Sequence, residues 1–424
     1  MARFSFLCGE CGARYDEREV SFVCPLCSRA QVPGGVTRGV LEVDLEDIPH
    51  RWPAARLSDP VSLVAFLPVE SAASIPPLAV GGTPLLAPPR LRRELGTPHL
   101  WVKDDGRNPS GSTKDRASLL VVAKAIEYGY DTVACASTGN AASALACVAA
   151  AAGVRAVVMV PASAPRAKLV QVANYGAQLV PIEGSYDEAF ELSLLACRRF
   201  GWYNRNTAFN PFTIEGKKTA ALEIAAELAP EAPDVVVVPC GDGVIVSGLA
   251  KGFADLVRGG LLTRIPRLIA VQPAGSAALA SALRAGSREI VPETRPASVA
   301  DSLVVAAPRN AAMALRAVRN SGGGGVIVED ESIVEAIGRL AGSTGVFAEP
   351  AAAASLAGLF RALDEGMVSH DDRIVLLVTG TGLKDVAAAA RAARVPDAIP
   401  AVPEAVEELL RRTGFDAVRR GGEG

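Results

Sequence analysis

The residue whose type and setting best suit chemistry is Lys114, in the stretch "NPSGSTKDRAS" (108–118), where small residues and hydroxyls lead into a lysine followed by Asp115 and Arg116. It joins a predicted strand, "HLWVKDD" (99–105), to a predicted helix, "TKDRASLLVVAKAIEYG" (113–129). An ammonium at a helix start faces the positive end of the dipole and releases its proton more readily. A neutral lysine is a nucleophile toward an aldehyde. Taken alone, the position also suits an ordinary solvated lysine. A second pattern is cysteine spacing: Cys8 and Cys11 in "CGEC", Cys24 and Cys27 in "CPLC", with twelve residues between the pairs. Two such knuckles turn four thiolates toward one tetrahedral zinc ion, and a site closed by four sulfurs is structural, not catalytic. The other reading, a redox or disulfide pair, is disfavoured in a reducing compartment. Cys135, Cys147, Cys197 and Cys240 are scattered through apolar segments and read as core.

Three further loops sit between a predicted strand and a helix. "STGN" places Ser137, Thr138, Gly139 and Asn140 at a helix start, where free backbone amides suit a carboxylate or phosphate and where Ser137 or Thr138 could equally serve as a simple cap. "PCGDGVIVSG" (239–248) carries Gly241, Asp242, Gly243, Val244, Ile245 and Ser247, a glycine-bearing turn whose amides could cradle a phosphate. Asp242 repels an anion, so it is expected to turn away, as a helix cap for instance, leaving amides and Ser247 to face the ligand. "VTGTGLKD" (378–385) brings Thr379, a hydroxyl able to bond a ring nitrogen without protonating it, or an ordinary turn residue.

The elements that must position these loops alternate along the chain. Val- and Ile-rich strands are predicted at 132–137, 155–161, 177–184, 234–243, 267–273, 325–330 and 373–382, with helices between them at 141–153, 165–176 and 185–201. That order predicts an α/β fold of doubly wound parallel sheets, with ligands collecting at the carboxyl ends of strands. The 424 residues are half apolar but only 5% aromatic, which suits helices packed on parallel sheet. A net charge of −3 offers no surface for nucleic acid or membrane, and residues 1–30 mix arginines with acids without a basic stripe. The most apolar helix, 141–153, is too short to cross a bilayer, and the N-terminus does not read as a secretory signal, so a cytoplasmic protein is expected. "SGGGG" (321–325) reads as a flexible loop, Glu349 as either a site residue or a helix cap, and Lys103, Asp104 and Asp105 as structural.

Together, "VKDDGRNPSGSTKDRAS", "ASTGNAASALA", "NPFTIEGKKTAALEI", "VPCGDGVIVSG", "FAEPAAAASLAG" and "LLVTGTGLKD" resemble the threonine synthases in order and spacing. These are fold type II pyridoxal-phosphate enzymes, related to the serine/threonine dehydratases. A four-cysteine ribbon leading into "GVLEVDLED" (39–47) resembles some of them as well, and the likeness spans roughly residues 1–395. The resemblance implies a zinc ribbon at 1–45, a catalytic region at 46–395 with a smaller mobile domain inserted at about 115–210, and a helical tail at 396–424. It implies that Lys114 bonds covalently to the aldehyde of pyridoxal 5'-phosphate and then shuttles protons. By the same resemblance, Asn140 is expected beside the pyridine 3-hydroxyl, Ser137, Thr138 and Gly139 around the substrate carboxylate, Gly241 to Ile245 at the cofactor phosphate, and Thr379 facing the pyridine nitrogen. A homodimer acting on a small amino acid is implied too.

Two departures from the family pattern bear on the substrate. Val244 and Ile245 replace a Gly-Asn pair in the phosphate loop, and Ala208 and Thr213 stand where many threonine synthases carry a serine and an arginine for the substrate's phosphate. Arg107, Arg166, Lys168, Lys217 and Lys218 are candidates to supply the missing charge. The expected reaction is conversion of O-phosphohomoserine to threonine and phosphate. A dehydratase or ammonia-lyase giving a 2-oxo acid is the alternative, and a non-catalytic zinc-ribbon binding protein the remote one.

Overall fold

Fully buried runs of Val, Ile and Leu form the centre of the structure, a computed structural model that describes residues 4–20, 22–52, 60–393 and 395–414. Among the described residues thirteen strands form three sheets: β1 (Phe4–Cys8), β2 (Arg14–Tyr15), β3 (Leu41–Leu45), β4 (Leu85–Leu86), β5 (Leu100–Asp104), β6 (Thr132–Ala136), β7 (Arg155–Pro161), β8 (Gln178–Ile182), β9 (Tyr203–Asn204), β10 (Val235–Pro239), β11 (Arg267–Pro273), β12 (Gly324–Val328) and β13 (Ile374–Val378).

The largest sheet runs β12-β11-β10-β13-β5-β4, and the second runs β8-β7-β6-β9. "VVVVP" of β10 and "IVLLV" of β13 are buried at every position, as strands covered on both faces must be. The second sheet is parallel throughout and is formed by chain lying between β5 and β10 of the first. The large sheet is not purely parallel, as expected from sequence, but mixed. Its edge strand β4 pairs antiparallel with β5, Leu85 opposite Lys103. Two residues are too few to show any alternation, so the pattern could not reveal this strand.

The helix Lys114–Glu127 lies buried between these sheets, flanked by helices Asn140–Ala152 and Phe212–Lys217. Gly216 permits the close crossing, because a Cβ there would overlap the Arg116 carbonyl. Behind the helix start lies a buried ionic cluster. Arg116 binds Asp105 and Glu223 with bidentate geometry, Lys103 reaches Glu223 at 2.8 Å, and Thr83 donates to Asp105. Lys103 and Asp105 are thus structural, as the sequence suggested.

The "SGGGG" stretch is not a loose loop. Strand β12 begins at Gly324, Gly323 lies against the Leu268 carbonyl, and a Cβ on Gly325 would come within 2.7 Å of the Ala280 Cα. The glycines are there for close packing.

At the N-terminus, β2-β1-β3 is antiparallel and packs through Phe4 and Phe6 onto Phe212, ring centroids 5.9 and 5.7 Å apart. The buried Lys124 ammonium sits over the Phe4, Tyr128 and Phe212 rings and pairs with Glu127 at 2.7 Å. The tail helix Pro403–Arg412 forms as expected, while its end, 415–424, falls outside the described residues. Among the described residues no helix is long and apolar enough to cross a membrane.

Candidate active site

Three of the four loops singled out by sequence line a cleft of about 980 Å³ at the carboxyl ends of β5, β6 and β13, through Gly106 to Gly111, Gly139, Asn140, Thr381 and Lys384, whereas Lys114, Thr379 and the 239–248 loop at the end of β10 lie outside its lining. Backbone hydrogen bonds join two of them to a third segment. Thr113 donates to the Thr379 carbonyl, Thr381 to Gly111 and Glu349 to Gly380. Asp115 fastens the turn before Lys114 by accepting from the Ser110 amide at 2.6 Å and from its hydroxyl. Burial pushes its carboxyl up to about 6, against the pull of those bonds from Ser110. A loop held this way presents Lys114 from a fixed backbone.

Lys114 is half-buried and opens its helix. Burial pushes its ammonium below the ordinary lysine value. Glu349 opposes that shift, Arg205 adds to it, and Asp242 opposes it. The cause is therefore mainly desolvation, with the helix-start position a lesser consideration. The direction favours the neutral amine that addition to an aldehyde requires.

Asn140, buried in the first turn of its helix, donates through Nδ2 to Glu349 Oε1 at 2.8 Å. Glu349 occupies the N-cap position of helix Pro350–Asp364 but makes no cap bond with its side chain. Of its two sequence readings, the side-chain cap is not made, and the residue lines the cleft instead. Burial raises its carboxyl, and Lys114 and Lys384 pull it back. Lys384 donates to Ser143 Oγ (2.7 Å) and Gln171 Oε1 (2.6 Å), bridging the 379–385 segment to the smaller sheet's helices. Neither Ser137 nor Thr138 caps helix Asn140–Ala152. Ser137 Oγ instead accepts from the Gly139 amide, and the helix start is left without a side-chain cap. Such a start suits an anion.

The 241–245 loop behaves similarly. Gly243, at φ 83°, is the N-cap of helix Val244–Arg258, with no side-chain cap bond. Only glycine fits, since a Cβ would also stand 2.6 Å from that of Ala314. Asp242 is not a helix cap: its Oδ1 accepts from the Arg309 amide at 2.9 Å, and its carboxylate stays near enough to Lys114 to oppose the lowering of that ammonium. Ser247 departs from expectation. Its only proton is donated to the Gly243 carbonyl (2.8 Å) and its oxygen accepts from Asn310 Nδ2, so it has no donor left for an anion. Thr379 is buried at the end of β13.

The sequence reading did not assign roles to Arg205, Asn310, Lys384 or Gln171. Glu349 was flagged by its place in "FAEP", but arginine and lysine in a half-polar stretch carry no periodic or spacing signal.

Away from the cleft, the Sγ atoms of Cys8, Cys11, Cys24 and Cys27 all lie within 4.8 Å of one another, with Cys8–Cys27 at 3.8 Å and Cys11–Cys24 at 3.7 Å. Four thiolates about 2.3 Å from a tetrahedral ion stand about 3.8 Å apart, so the cluster fits one metal. Cys135, Cys147, Cys197 and Cys240 are buried, as core residues should be.

The pyridoxal-phosphate-dependent enzyme profile matches residues 77–380. The chain belongs to this family. It is 36% identical to the threonine synthase of Methanocaldococcus jannaschii over 411 residues, which cover 95% of this chain and 98% of that one. It is equally identical to the threonine synthase of Mycobacterium tuberculosis over 335 residues, 78% of this chain and 90% of that protein. Among solved structures, maize serine racemase aligns with a TM-score of 0.61 at 25% identity, covering 71% of this chain and 88% of that one. The family's fold type II architecture is therefore present, and the chain is a lyase dependent on pyridoxal phosphate.

Proposed function

We propose that this enzyme converts O-phosphohomoserine and water into threonine and inorganic phosphate. The observation that carries the reading is the likeness to a threonine synthase across nearly the whole of both chains. The geometry fits the cofactor. A desolvated lysine, a buried threonine at a strand end and two helix starts without side-chain caps converge on one region.

When bound, pyridoxal phosphate supplies an aldehyde for amines and a ring that draws electrons from the α-carbon of an amino acid. The backbone amides of Gly241 to Ile245, at the uncapped head of helix Val244–Arg258, would hold its phosphate in the field of that helix dipole. Asn140, its amide oriented by the 2.8 Å bond to Glu349, would serve the ring hydroxyl. Thr379 would offer the ring nitrogen a hydroxyl and no strong acid, which would leave more of the proton traffic to Lys114. Ser137, Thr138 and Gly139 take the substrate carboxylate. Lys114, with its lowered proton affinity, accepts a proton at Nζ and returns it. Segments 106–113, 346–350 and 379–382 are joined by shared backbone bonds and contribute residues to one wall of the cleft.

A second reading, deamination of serine or threonine, draws on Ala208 and Thr213. Ala208 lacks a donor, and the Thr213 hydroxyl is occupied by the Asn210 carbonyl at 2.7 Å. Products separate the two. Threonine and phosphate released in equal amounts from O-phosphohomoserine support the synthase, whereas ammonia and a 2-oxo acid from serine or threonine, without phosphate release, overturn it.

The cysteine cluster is proposed to hold a structural zinc ion. Metal analysis of the purified protein should find close to one zinc per chain. Cys24→Ser should lose it and lower the melting temperature, because a fully buried ligand disappears. A metal-free wild-type protein with unchanged melting temperature would contradict the assignment.

A further inference from the structure

Two buried cations near Lys114 have no counterpart in the scheme above. Arg205 follows β9, where its amide donates to the Ala134 carbonyl, and its Nε reaches Ser118 Oγ, one helical turn beyond Lys114, at 3.2 Å. The residue is 1% exposed, and among the described residues its Nη2 has no hydrogen-bond partner. Lys217, 2% exposed, closes helix Phe212–Lys217 and donates to the Thr213 carbonyl one turn back at 3.0 Å.

The fold neutralises its other deeply buried cations with carboxylates. Arg116 has Asp105 and Glu223, Lys103 has Glu223, Lys124 has Glu127, and Lys218 has Glu215 and Asp255. Neither Arg205 nor Lys217 forms an ion pair among the described residues. Burying a charge without its opposite is costly, and a site that does so twice within mutual reach is short of an anion. Burial drives the Lys217 ammonium well below its ordinary value, and Arg205 and Lys114 add to the shift. Asp242 opposes it from nearby, but among the described residues no ion pair joins the two, and Asp242 Oδ1 accepts from the Arg309 amide instead.

Their placement says where the anion would lie. Arg205 touches the Lys114 helix, and Lys217 abuts the helix opened by the anion loop, its Cβ 2.8 Å from where a Cβ on Gly248 would stand. The same segment has lost the serine and arginine expected for a substrate phosphate, with Ala208 and Thr213 in their places. Ala208, buried at φ 61°, instead packs in an apolar cluster with Ile214 and Val244.

We propose that Arg205 and Lys217 together form the receptor for a second phosphate monoester, that of the substrate, alongside Lys114. The inference rests on the reading of O-phosphohomoserine as substrate. The cofactor's phosphate is served by loop amides, whereas a second dianion needs full side-chain charges, a planar guanidinium fork and a point charge. An amino acid lacking the phosphate leaves both cations bare, so the pair discriminates against serine and threonine.

The test compares cofactor-loaded wild type with Arg205→Gln, Lys217→Gln and Lys217→Arg. Three quantities are read: cofactor affinity from its visible absorbance, binding of inorganic phosphate by calorimetry, and KM and kcat for O-phosphohomoserine. The two Gln variants should each weaken phosphate binding and raise KM at least tenfold, with cofactor affinity within threefold of wild type, and Lys217→Arg should recover most of the loss. Cofactor affinity falling in step with phosphate affinity overturns the proposal, because the charges then serve the cofactor. Unchanged phosphate binding and KM overturn it as well, leaving the cations structural and the synthase reading intact. If phosphate binding is lost on substitution but wild type releases no phosphate from O-phosphohomoserine, the receptor stands and the substrate assignment falls. Should Arg205→Gln fail to fold, Lys217→Gln decides, since its amide can still donate to the Thr213 carbonyl.

Discussion

Replacing Lys114 with alanine is expected to abolish turnover and leave the protein unable to hold its cofactor covalently. The change removes both the anchoring amine and the group that moves protons, and general acid–base catalysis alone is worth up to about 10⁴-fold. A fall in kcat/KM of at least that order is therefore expected. Of the neighbouring amines, Lys384 is held by Ser143 and Gln171 and Lys217 by the Thr213 carbonyl on its own helix, so neither opens a helix as Lys114 does. Reduction of the holoenzyme with borohydride followed by peptide mapping should place the modification on residue 114, within the helix-opening peptide. A label elsewhere, or an alanine variant retaining a tenth of wild-type activity, would remove the mechanistic basis proposed here.

The largest expected effect on stability comes from Glu223→Ala. Glu223 accepts from Arg116 at 2.6 and 2.8 Å, from Lys103 at 2.8 Å and from the Gly82 amide at 2.9 Å, with all three charged side chains fully buried. Truncation takes one carboxylate from two buried cations, leaving Arg116 with Asp105 alone and Lys103 with the partly exposed Glu227. Breaking a buried pair from one side typically costs about 3–5 kcal/mol. The expected readout is a clear drop in the denaturant midpoint, and a loss below about 1 kcal/mol would refute the account. Burial alone would raise the Glu223 carboxyl, but Arg116 and Lys103 more than reverse this and hold it below its ordinary value. A carboxyl depressed in the folded state stabilises the fold above its unfolded pKa of about 4.3 and loses that contribution as pH falls through the folded value. The gap between wild type and variant should therefore be full at neutral pH and shrink in acid. The consequence reaches catalysis, because Arg116 lies two residues beyond Lys114 and ties its helix to β5 through Asp105.

Much of this was legible because of its physics. Strands such as β10 and β13 are buried on both faces and read as continuous apolar runs, and small polar loops between them mark strand ends. Lys114, Asn140 and Thr379 were found through those loops. What escaped was tertiary in origin. Strands β4 and β9 are two residues each and owe their existence to a neighbour. The glycines at 323–325 looked flexible because sequence cannot show a carbonyl pressed against them. Ser247 looked like a donor until its proton was seen to be committed within its own helix turn. Arg205 is conspicuous only once it is buried with no carboxylate paired to it among the described residues, a property of three-dimensional surroundings and not of spacing.

The aromatic seam between the N-terminal sheet and Phe212 has an evolutionary corollary. A descendant gene that dropped the cysteine module would uncover Phe212, Tyr128 and the stem of Lys124 at once, turning interior into a sticky face. It would also take away the Gly35 carbonyl that Arg309, the residue steadying Asp242, now binds. Dropping the module therefore calls for compensating polar changes on that face.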